Sequence, residues 1–513
     1  MATVDLKEAY FSVPIHIEHR KLLRFSFEDN LYEFNCLPFG LSSAPWVFTK
    51  LMKPVLAYLR SLSLISVCCL DDFLLITPSY DECIININTT YSTLLSLGFL
   101  INKEKSKLIP SKMCKFLGFL FSSEKMGLGL PNDKCEKITH LLTKFKKTKV
   151  CTIRDFAMLC GTLASVCPAI PYGMVYTKCF EREKFLALKD SNLNYDSNMN
   201  VSGSLQSDLD WWLSSVKTPF SQLHKYKFSI EIFSDATPKA WGIVCNNKNA
   251  RGSWNDEERL FHINYLELLA AFFGLKCFAK ELYDTEVLLR IDNAMAVLYI
   301  NRMGRIQFPN LNKLAKQIWQ WCESRKLWIY ASYIKSSDNF EADFESRVNH
   351  EETEWELNPT LFDKLSKKFG IPDIDLFASR IKRKCNKVVS WYPVPEAHAV
   401  DAFTLSWRDY FFYAFPPFKI LPRVIRKIAI DKAIDILIVP YWPTQPWFPR
   451  FKQMLKSDML FLNLTLIYFL LLTENLIHFG DSLPWWQALY LRSFQKKRCT
   501  PRCNKYHYFF NNQ

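Results

Sequence analysis

Two adjacent acids near the start of the chain are of a type and spacing that suit metal chemistry. Asp71 and Asp72 lie between the apolar segments 67–70 and 73–76, a pattern that predicts two strands joined by a turn that holds both acids. Adjacent carboxylates repel each other and stay ionised at little cost only beside a cation. Taken alone, this segment fits an Asp-rich surface turn better than a metal site, but further acids upstream belong to the same pattern.

A third acid, Asp5, closes a short apolar strand earlier in the chain. Carboxylate oxygens are the ligands that Mg²⁺ prefers, and two such ions sharing carboxylates suit phosphoryl transfer to a primer 3′-hydroxyl. We expect Asp5 and Asp71 to bridge the ions, with Asp72 adjacent. The aromatic ring of Tyr10 is expected beneath the incoming sugar, where it would collide with a 2′-OH.

Segments surrounding these acids resemble the palm of a reverse transcriptase. They are DLKEAYFSVP around Asp5, LPFGLSSAPWVFTK after residue 36, CLDD around Asp71, and LGFLINKEKSKLIPSKMCKFLGF over residues 97–119. The resemblance implies an RNA-directed DNA polymerase that uses two Mg²⁺, an RNA template, a DNA primer and dNTPs. It implies that Gly40 and its neighbour Phe39 line the nucleotide pocket, and that Lys105 is an acid for the pyrophosphate.

Two departures from this family pattern bear on polymerase activity. Cys69 replaces the usual aromatic residue that packs near the primer terminus, which predicts reduced activity. The chain begins almost at the first motif, so we expect an N-terminally truncated polyprotein without the family's fingers and their triphosphate-binding basic residues.

The composition points to a polyanionic partner inside the cell. The formal net charge is +14 with a pI of about 9.0, which favours nucleic acid once combined with the acidic motifs. The 16 cysteines have no repeated spacing, which indicates a reducing, cytoplasmic or nuclear compartment. There is no signal-peptide core at the start, and the apolar run 459–472 is too short to span a bilayer, so no membrane is expected.

A helical region is expected over residues 131–226. Apolar residues at helical spacing occur in 134–145 and 153–164, and residues 191–207 are expected to form a loop. The lysines among residues 144–149 suit a thumb and connection that grip a template–primer duplex through phosphates. A solvated helix face explains them equally well.

Four further acids come from separate elements of the next region, residues 227–348. Asp235 and Asp292 end strands, Glu267 lies on a helix, and Asp343 follows another helical stretch. Their convergence on a metal pair would suit phosphodiester hydrolysis. The segments FSDAT, INYLELLAA, RIDNAMAV and NFEADFESR resemble ribonuclease H, which implies cleavage of the RNA strand of an RNA/DNA hybrid with two Mg²⁺. Tyr333 replaces a histidine common in related sequences, which predicts slower turnover.

Strands alternating with helices over residues 353–452 predict a doubly wound sheet. The order of PDIDLFAS, containing Asp375, and FPPF resembles phage-type DNA adenine methyltransferases. Phe415 replaces the Asn or Asp that accepts the target amine, and phenylalanine accepts no hydrogen bond. We expect a retained fold without methylation; a Pro-Pro turn in an unrelated domain is the alternative.

The final region, residues 453–513, ends in a basic tail that is expected to be disordered. Cys499, Cys503 and His507 hint at a zinc site but lack a fourth ligand.

The predicted fold is a multidomain α/β and α+β protein. Its predicted regions are a reverse transcriptase palm (1–130), a thumb/connection (131–226), a ribonuclease H-like mixed sheet (227–348), a doubly wound methyltransferase-like domain (353–452) and a C-terminal segment (453–513). Their order resembles the polyprotein of a DIRS-type retrotransposon. We expect a reverse transcriptase with ribonuclease H activity; the alternatives are a ribonuclease H only, or a non-catalytic nucleic-acid-binding relic.

Overall fold

The computed structural model describes residues 1–223, 226–348, 356–455 and 459–460, and the backbone of two further strands, 467–468 and 489–492. The chain divides into two compact units, residues 1–226 and 227–513. The predicted Cys499, Cys503 and His507 site and most of the apolar run 459–472 lie outside the described residues.

The strands of the first unit form small antiparallel sheets. They are β1 (Ala2–Lys7), β2 (Arg24–Phe27), β3 (Asn30–Glu33), β4 (Ile65–Cys69), β5 (Asp72–Ile76), β6 (Leu100–Ile101), β7 (Met113–Phe116), β8 (Phe119–Ser122), β9 (Gly127–Gly129), β10 (Val150–Thr152), β11 (Asn198–Asn200) and β12 (Phe220–Gln222). The first sheet has the order β4-β5-β1-β6. β4 and β5 are the hairpin that the sequence predicts around its acid pair.

The helices of the first unit cover one face of this sheet or follow it in the chain. They are α1 (Ile17–Arg20), α2 (Ala44–Ser61), α3 (Tyr80–Ser96), α4 (Asn132–Lys147), α5 (Ile153–Val166), α6 (Lys178–Asp190) and α7 (Gln206–Ser215). Phe48 of α2, Phe73 of β5 and Ile87 of α3 share one core with β1. That core holds β1 and β5 side by side, so it fixes the strands that contain the predicted palm acids.

Two sequence predictions for the first unit need correction. Residues 191–207 are not a continuous loop, because β11 pairs with β10 and α7 begins within the segment. The predicted border at residue 130 does not separate the sheets, because β12 pairs with β9 in the order β12-β9-β8-β7. Both pairings join segments distant in the chain, and short strands with such partners leave little periodicity to detect.

The central domain, residues 227–348, is a mixed five-stranded sheet with helices. Its elements are β13 (Phe228–Ala236), β14 (Ala240–Cys245), β15 (Lys248–Ser253), α8 (Ile263–Phe278), β16 (Glu286–Ile291), α9 (Ala294–Asn301), α10 (Pro309–Glu323), β17 (Trp328–Tyr333) and α11 (Phe340–Arg347). The order is β15-β14-β13-β16-β17, with β13, β16 and β17 parallel. Residues 266–275 of α8 are all buried, and Gly274 lies against Ile232 so closely that a Cβ would be 2.9 Å from its side chain. The one acid of α8, Glu267, therefore lies in the interior.

The C-terminal domain, residues 356–455, contains a second sheet. Its elements, with the two outlying strands, are β18 (Glu356–Leu357), α12 (Pro359–Phe369), β19 (Ile374–Asp375), β20 (Lys387–Ser390), β21 (Ala399–Val400), β22 (Phe411–Ala414), α13 (Leu421–Asp431), β23 (Ile434–Ile438), α14 (Phe448–Gln453), β24 (Ile467–Tyr468) and β25 (Leu489–Arg492). The order is β21-β20-β19-β22-β23-β25, parallel except for β25. Apolar side chains of α12 and α13 pack on this sheet.

Two further features concern the described residues of both units. Among the described residues, no helix is both long and apolar enough to cross a bilayer. The cysteines of the described part are free thiols.

Candidate active sites

The first candidate site lies where β1 and β5 pair. Asp5 of β1 stands directly opposite Asp72, the first residue of β5. Asp71 occupies the turn before it, and its backbone carbonyl accepts a hydrogen bond of 3.0 Å from the Leu6 amide. Leu70 adopts a left-handed φ of 57° to make this turn. The turn and the register thus place the three predicted palm acids at one end of the sheet.

The carboxyl of Asp72 shows that these acids repel each other. Its pKa rises to about 6, first through burial, then through a hydrogen bond with the Asp5 carboxyl and the charges of Asp71 and Asp5. Lys105 opposes this rise, so its ammonium acts on the same carboxyl. A cation bound beside these carboxylates would lower the repulsion between their negative charges.

Aromatic residues lie beside the palm acids. The rings of Tyr10 and Phe39 are 5.2 Å apart, and burial together with the charge of Asp71 raises the pKa of Tyr10. Phe39 is 62% exposed and precedes Gly40, whose φ of 87° favours glycine. Phe11 also contacts Phe39, with ring centroids 5.1 Å apart, and sequence reasoning missed it. Only its position next to Tyr10 in the sequence could have indicated that Phe11 lies beside Phe39.

The second candidate site lies in the central domain, at the end of its parallel strands. Asp235 lies near the end of β13, Asp292 directly follows β16, and Glu267 points from α8. Within the described residues, these three form the one group of acids whose oxygens all lie within 4.8 Å of one another. Neither Asp343 nor the palm acids form such a group there. The tightest carboxylate convergence is therefore in the central domain.

Burial and mutual repulsion dominate the electrostatics of this acid cluster. The pKa of Glu267 rises to about 9, mainly through burial and then through the charges of Asp235 and Asp292. Burial likewise raises the pKa of Asp235, to about 6. A hydrogen bond from the Ser346 hydroxyl acts against this rise. The Glu267 Oε2 atom is buried and has no hydrogen-bond partner among the described residues. Buried polar atoms are normally satisfied, so a ligand fits this cluster.

Asp343 lies beside the cluster and not within it. Its carboxylate accepts hydrogen bonds from the guanidinium of Arg347, one helical turn later on α11, at 2.7 and 2.6 Å. Of the four acids predicted to converge on a metal pair, Asp343 thus lies outside the tight group among the described residues and forms an ion pair with Arg347. Its charge still contributes to the raised pKa values of Asp235 and Glu267.

Two serines bind the acids, and sequence reasoning missed both. Ser336 donates a hydrogen bond of 2.8 Å to the Asp292 carboxylate, and the buried Ser346 hydroxyl donates to Asp235. Ser346 follows Asp343 by three positions on one helix, and side chains at this spacing are neighbours on the helix surface. This spacing is the sequence pattern that could have placed Ser346 near the acids. Tyr333 ends β17 opposite Ile291 and is 56% exposed; its effect on turnover stays a prediction.

The C-terminal domain has a cleft at the end of β19. Buried Asp375 accepts hydrogen bonds from the amides of Lys384, at 3.0 Å, and Phe377, at 3.4 Å, and burial raises its pKa to about 7. The Lys384 ammonium pairs with Glu356 at 2.6 Å. Phe415 also lines this cleft, beside the acidic end of β19.

Comparisons with known proteins agree with the palm motifs. Residues 1–121 match the family described as "Reverse transcriptase (RNA-dependent DNA polymerase)". The chain therefore contains a reverse transcriptase domain, and this prediction is confirmed. The ribonuclease H, methyltransferase-like and DIRS-type assignments stay predictions.

Longer matches extend to viral polyproteins. The chain is 21% identical over 378 residues to the "Putative enzymatic polyprotein" of Cassava vein mosaic virus, covering 68% of this chain and 53% of that protein. It is 25% identical over 372 residues to the "Enzymatic polyprotein" of Cauliflower mosaic virus (strain CM-1841), covering 67% and 50%. The chain thus spans about half the length of the curated relatives it matches.

Among solved structures, a similar one is a foamy viral protease-reverse transcriptase in complex with RNA/DNA hybrid. It is 17% identical, with a TM-score of 0.40, and covers 64% of this chain and 43% of that chain.

Proposed function

We propose that this chain is the RNA-directed DNA polymerase and ribonuclease H part of a retroelement polyprotein of the DIRS type, acting in the cytoplasm or nucleus. The observation that carries the polymerase proposal is the pairing of Asp5 with Asp72 inside a region that matches the reverse transcriptase family. An RNA template, a DNA primer and dNTPs are its proposed substrates. The net charge of +14 favours such polyanionic partners.

In the palm-like region, Asp5, Asp71 and Asp72 would hold Mg²⁺, and the raised pKa of Asp72 fits a site built for a cation. Bound there, the ions would supply an activated primer hydroxyl and neutralise the leaving pyrophosphate. Tyr10, Phe39 and Gly40 would line the sugar pocket, and Lys105 would give a proton to the pyrophosphate. The exposure of Phe39 leaves its ring accessible to a nucleotide.

The ribonuclease H activity is proposed for the central domain. Asp235, Glu267 and Asp292 fit a divalent cation because their oxygens converge within 4.8 Å and Glu267 has an unpartnered buried oxygen. Asp343 would complete the ligand set beside them. Ser336 and Ser346 hold two of the carboxylates in place through hydrogen bonds. The proposed substrate is the RNA strand of an RNA/DNA hybrid, which the 2′-OH distinguishes from DNA.

A narrower second candidate is ribonuclease H activity alone. The specific observation in its favour is that only the central-domain acids form the tight group among the described residues. The C-terminal domain is proposed to be a methyltransferase-like fold without methylation, because Phe415 lines the cleft beside Asp375 where a polar acceptor is needed.

One experiment separates these proposals. A labelled DNA primer on a differently labelled RNA template is incubated with the full chain, dNTPs and Mg²⁺, beside Asp71→Asn, Asp292→Asn and the exposed-acid control Asp81→Asn. Primer extension lost only in Asp71→Asn supports the polymerase. RNA cleavage without extension, lost only in Asp292→Asn, overturns the polymerase and supports the narrower candidate. Loss of either activity in Asp81→Asn overturns the assignment of these sites.

A further inference from the structure

The C-terminal domain is anchored to the central domain by buried charge and aromatic contacts. The guanidinium of Arg380 pairs with both carboxylate oxygens of Glu258 and lies 4.8 Å from the ring centroid of Phe273 on α8. The Arg380 and Glu258 side chains are only 17% and 15% exposed. Lys276 adds a more exposed pair with Glu396, at 3.2 Å. The two domains therefore share a specific, partly desolvated interface.

A second contact of this interface leads toward the acid cluster. The guanidinium of Arg251 on β15 lies 4.1 Å from the ring centroid of Tyr392 in the C-terminal domain. The same guanidinium donates a hydrogen bond of 2.9 Å to Glu345, whose other oxygen accepts one of 2.7 Å from Asn249. The Arg251 Nε atom is buried and has no hydrogen-bond partner among the described residues. The ring of Tyr392 and the carboxylate of Glu345 are thus the contacts that orient this side chain.

Glu345 lies on α11, the helix that also contains Asp343 and Ser346. Ser346 donates to Asp235 from this helix, and its carbonyl accepts a hydrogen bond of 3.2 Å from Thr237. The backbone of the same helix packs directly on Gly242 of β14, the strand partner of Asp235. Glu345 is therefore one of the contacts that set the position of α11 relative to the acids, together with those of Ser346 and the packing on Gly242.

We infer that Tyr392 of the C-terminal domain is a positioning residue for α11 in the hydrolytic site, acting through Arg251 and Glu345. The inference rests on the proposed ribonuclease H function of the central domain. The aromatic ring covers the guanidinium and keeps water from competing for its ion pair with Glu345, which strengthens that pair. A domain that lacks the polar group for methylation would in this way support the chemistry of its neighbour.

The test uses the full chain with three substitutions. Tyr392→Leu removes the ring, Tyr392→Phe keeps it, and Tyr283→Leu is the matched control because Tyr283 is likewise an exposed ring beside a cation, 5.6 Å from the Lys326 ammonium, but lies in the central domain away from Arg251. Hydrolysis of an RNA/DNA hybrid is measured over a range of Mg²⁺ concentrations. Tyr392→Leu is expected to lower the rate roughly twofold to thirtyfold, as for residues coupled to a site at a distance, and to raise the Mg²⁺ concentration at half-maximal rate. Tyr392→Phe and Tyr283→Leu are expected to change neither quantity.

A second readout needs neither metal nor activity. Hydrogen–deuterium exchange of residues 340–347 in EDTA is expected to become faster in Tyr392→Leu and to stay unchanged in the other two variants. Unchanged exchange in Tyr392→Leu, or equal acceleration in Tyr392→Phe, overturns the positioning role. If the unaltered chain does not cleave the hybrid, the proposed function fails, and the exchange data still decide whether Tyr392 holds α11.

Discussion

Replacing Glu267 by glutamine removes an ionisable carboxyl from a buried position of the acid cluster, and the structure sets the size of the effect. The side chain is 5% exposed, and its pKa is raised from 4.5 to about 9. A carboxyl raised in this way stabilises the fold fully below its ordinary pKa and loses that contribution as the pH rises through its folded pKa. About pH 7.5 is about three pH units above the ordinary pKa of 4.5 of this carboxyl. The stability lost over that interval is on the order of 4 kcal/mol.

Glutamine has nearly the same shape and no proton equilibrium in this range. Its amide would be buried with unsatisfied groups, which costs about 1–3 kcal/mol. The net expectation is that Glu267→Gln raises the free energy of unfolding of the central domain by about 1–3 kcal/mol in EDTA at about pH 7.5. With Mg²⁺ at about a hundredfold its Kd, the unaltered chain should gain about 2.7 kcal/mol, and the variant should gain much less.

The assay is urea unfolding of the full chain, with hydrogen exchange of residues 263–278 to assign the transition to the central domain. Asp256→Asn is the control, because this carboxylate is fully exposed and its loss should alter neither stability nor the response to Mg²⁺. A Glu267→Gln variant that is less stable than the unaltered chain in EDTA would refute the repulsion argument. Equal stabilisation of both proteins by Mg²⁺ would refute the assignment of Glu267 as a ligand.

Three further predictions concern the fold around the sites. Asp375, whose pKa burial raises from 3.8 to about 7, should stabilise its domain fully below about pH 3.8 and progressively less as the pH rises through about 7; Asp375→Asn should flatten this dependence in urea titrations. Arg380→Met leaves Glu258 buried without its partner, and unfolding measurements should show a loss of about 3–5 kcal/mol. Gly242→Ala places a Cβ 2.3 Å from the backbone of α11, and thermal unfolding should show a loss of about 1–3 kcal/mol.

Each of these predictions has a defined contrary outcome. Unchanged pH dependence in Asp375→Asn would show that another group titrates. The double variant Arg380→Met, Glu258→Gln should recover stability relative to Arg380→Met alone, and its failure to do so would contradict the buried-pair argument. Gly203→Ala, with no atom within 4 Å of the added methyl, is the control for Gly242→Ala; equal losses would show that crowding is not the cause.

The sequence alone was sufficient for features that depend on local pattern. The alternation of apolar segments and acids predicted the hairpin around Asp71, because a strand pair joined by a tight turn is encoded by neighbouring residues. The resemblance of the palm motifs to a reverse transcriptase predicted that domain, since each motif keeps its residues within one short segment. The same reasoning identified the acids of the central domain as candidates, and their roles await experiment.

Tertiary structure decided which of these groups meet and what surrounds them. Burial on α8 raises the pKa of Glu267 and leaves its Oε2 atom without a hydrogen-bond partner among the described residues, which no local pattern shows. Asp343 stands apart because Arg347 binds it, and Ser346 reaches Asp235 only once α11 crosses β14. The contact of Tyr392 with Arg251 joins two domains far apart in the chain. Burial, charge interaction and such long-range contacts depend on distances in space, whereas sequence pattern reports distances along the chain.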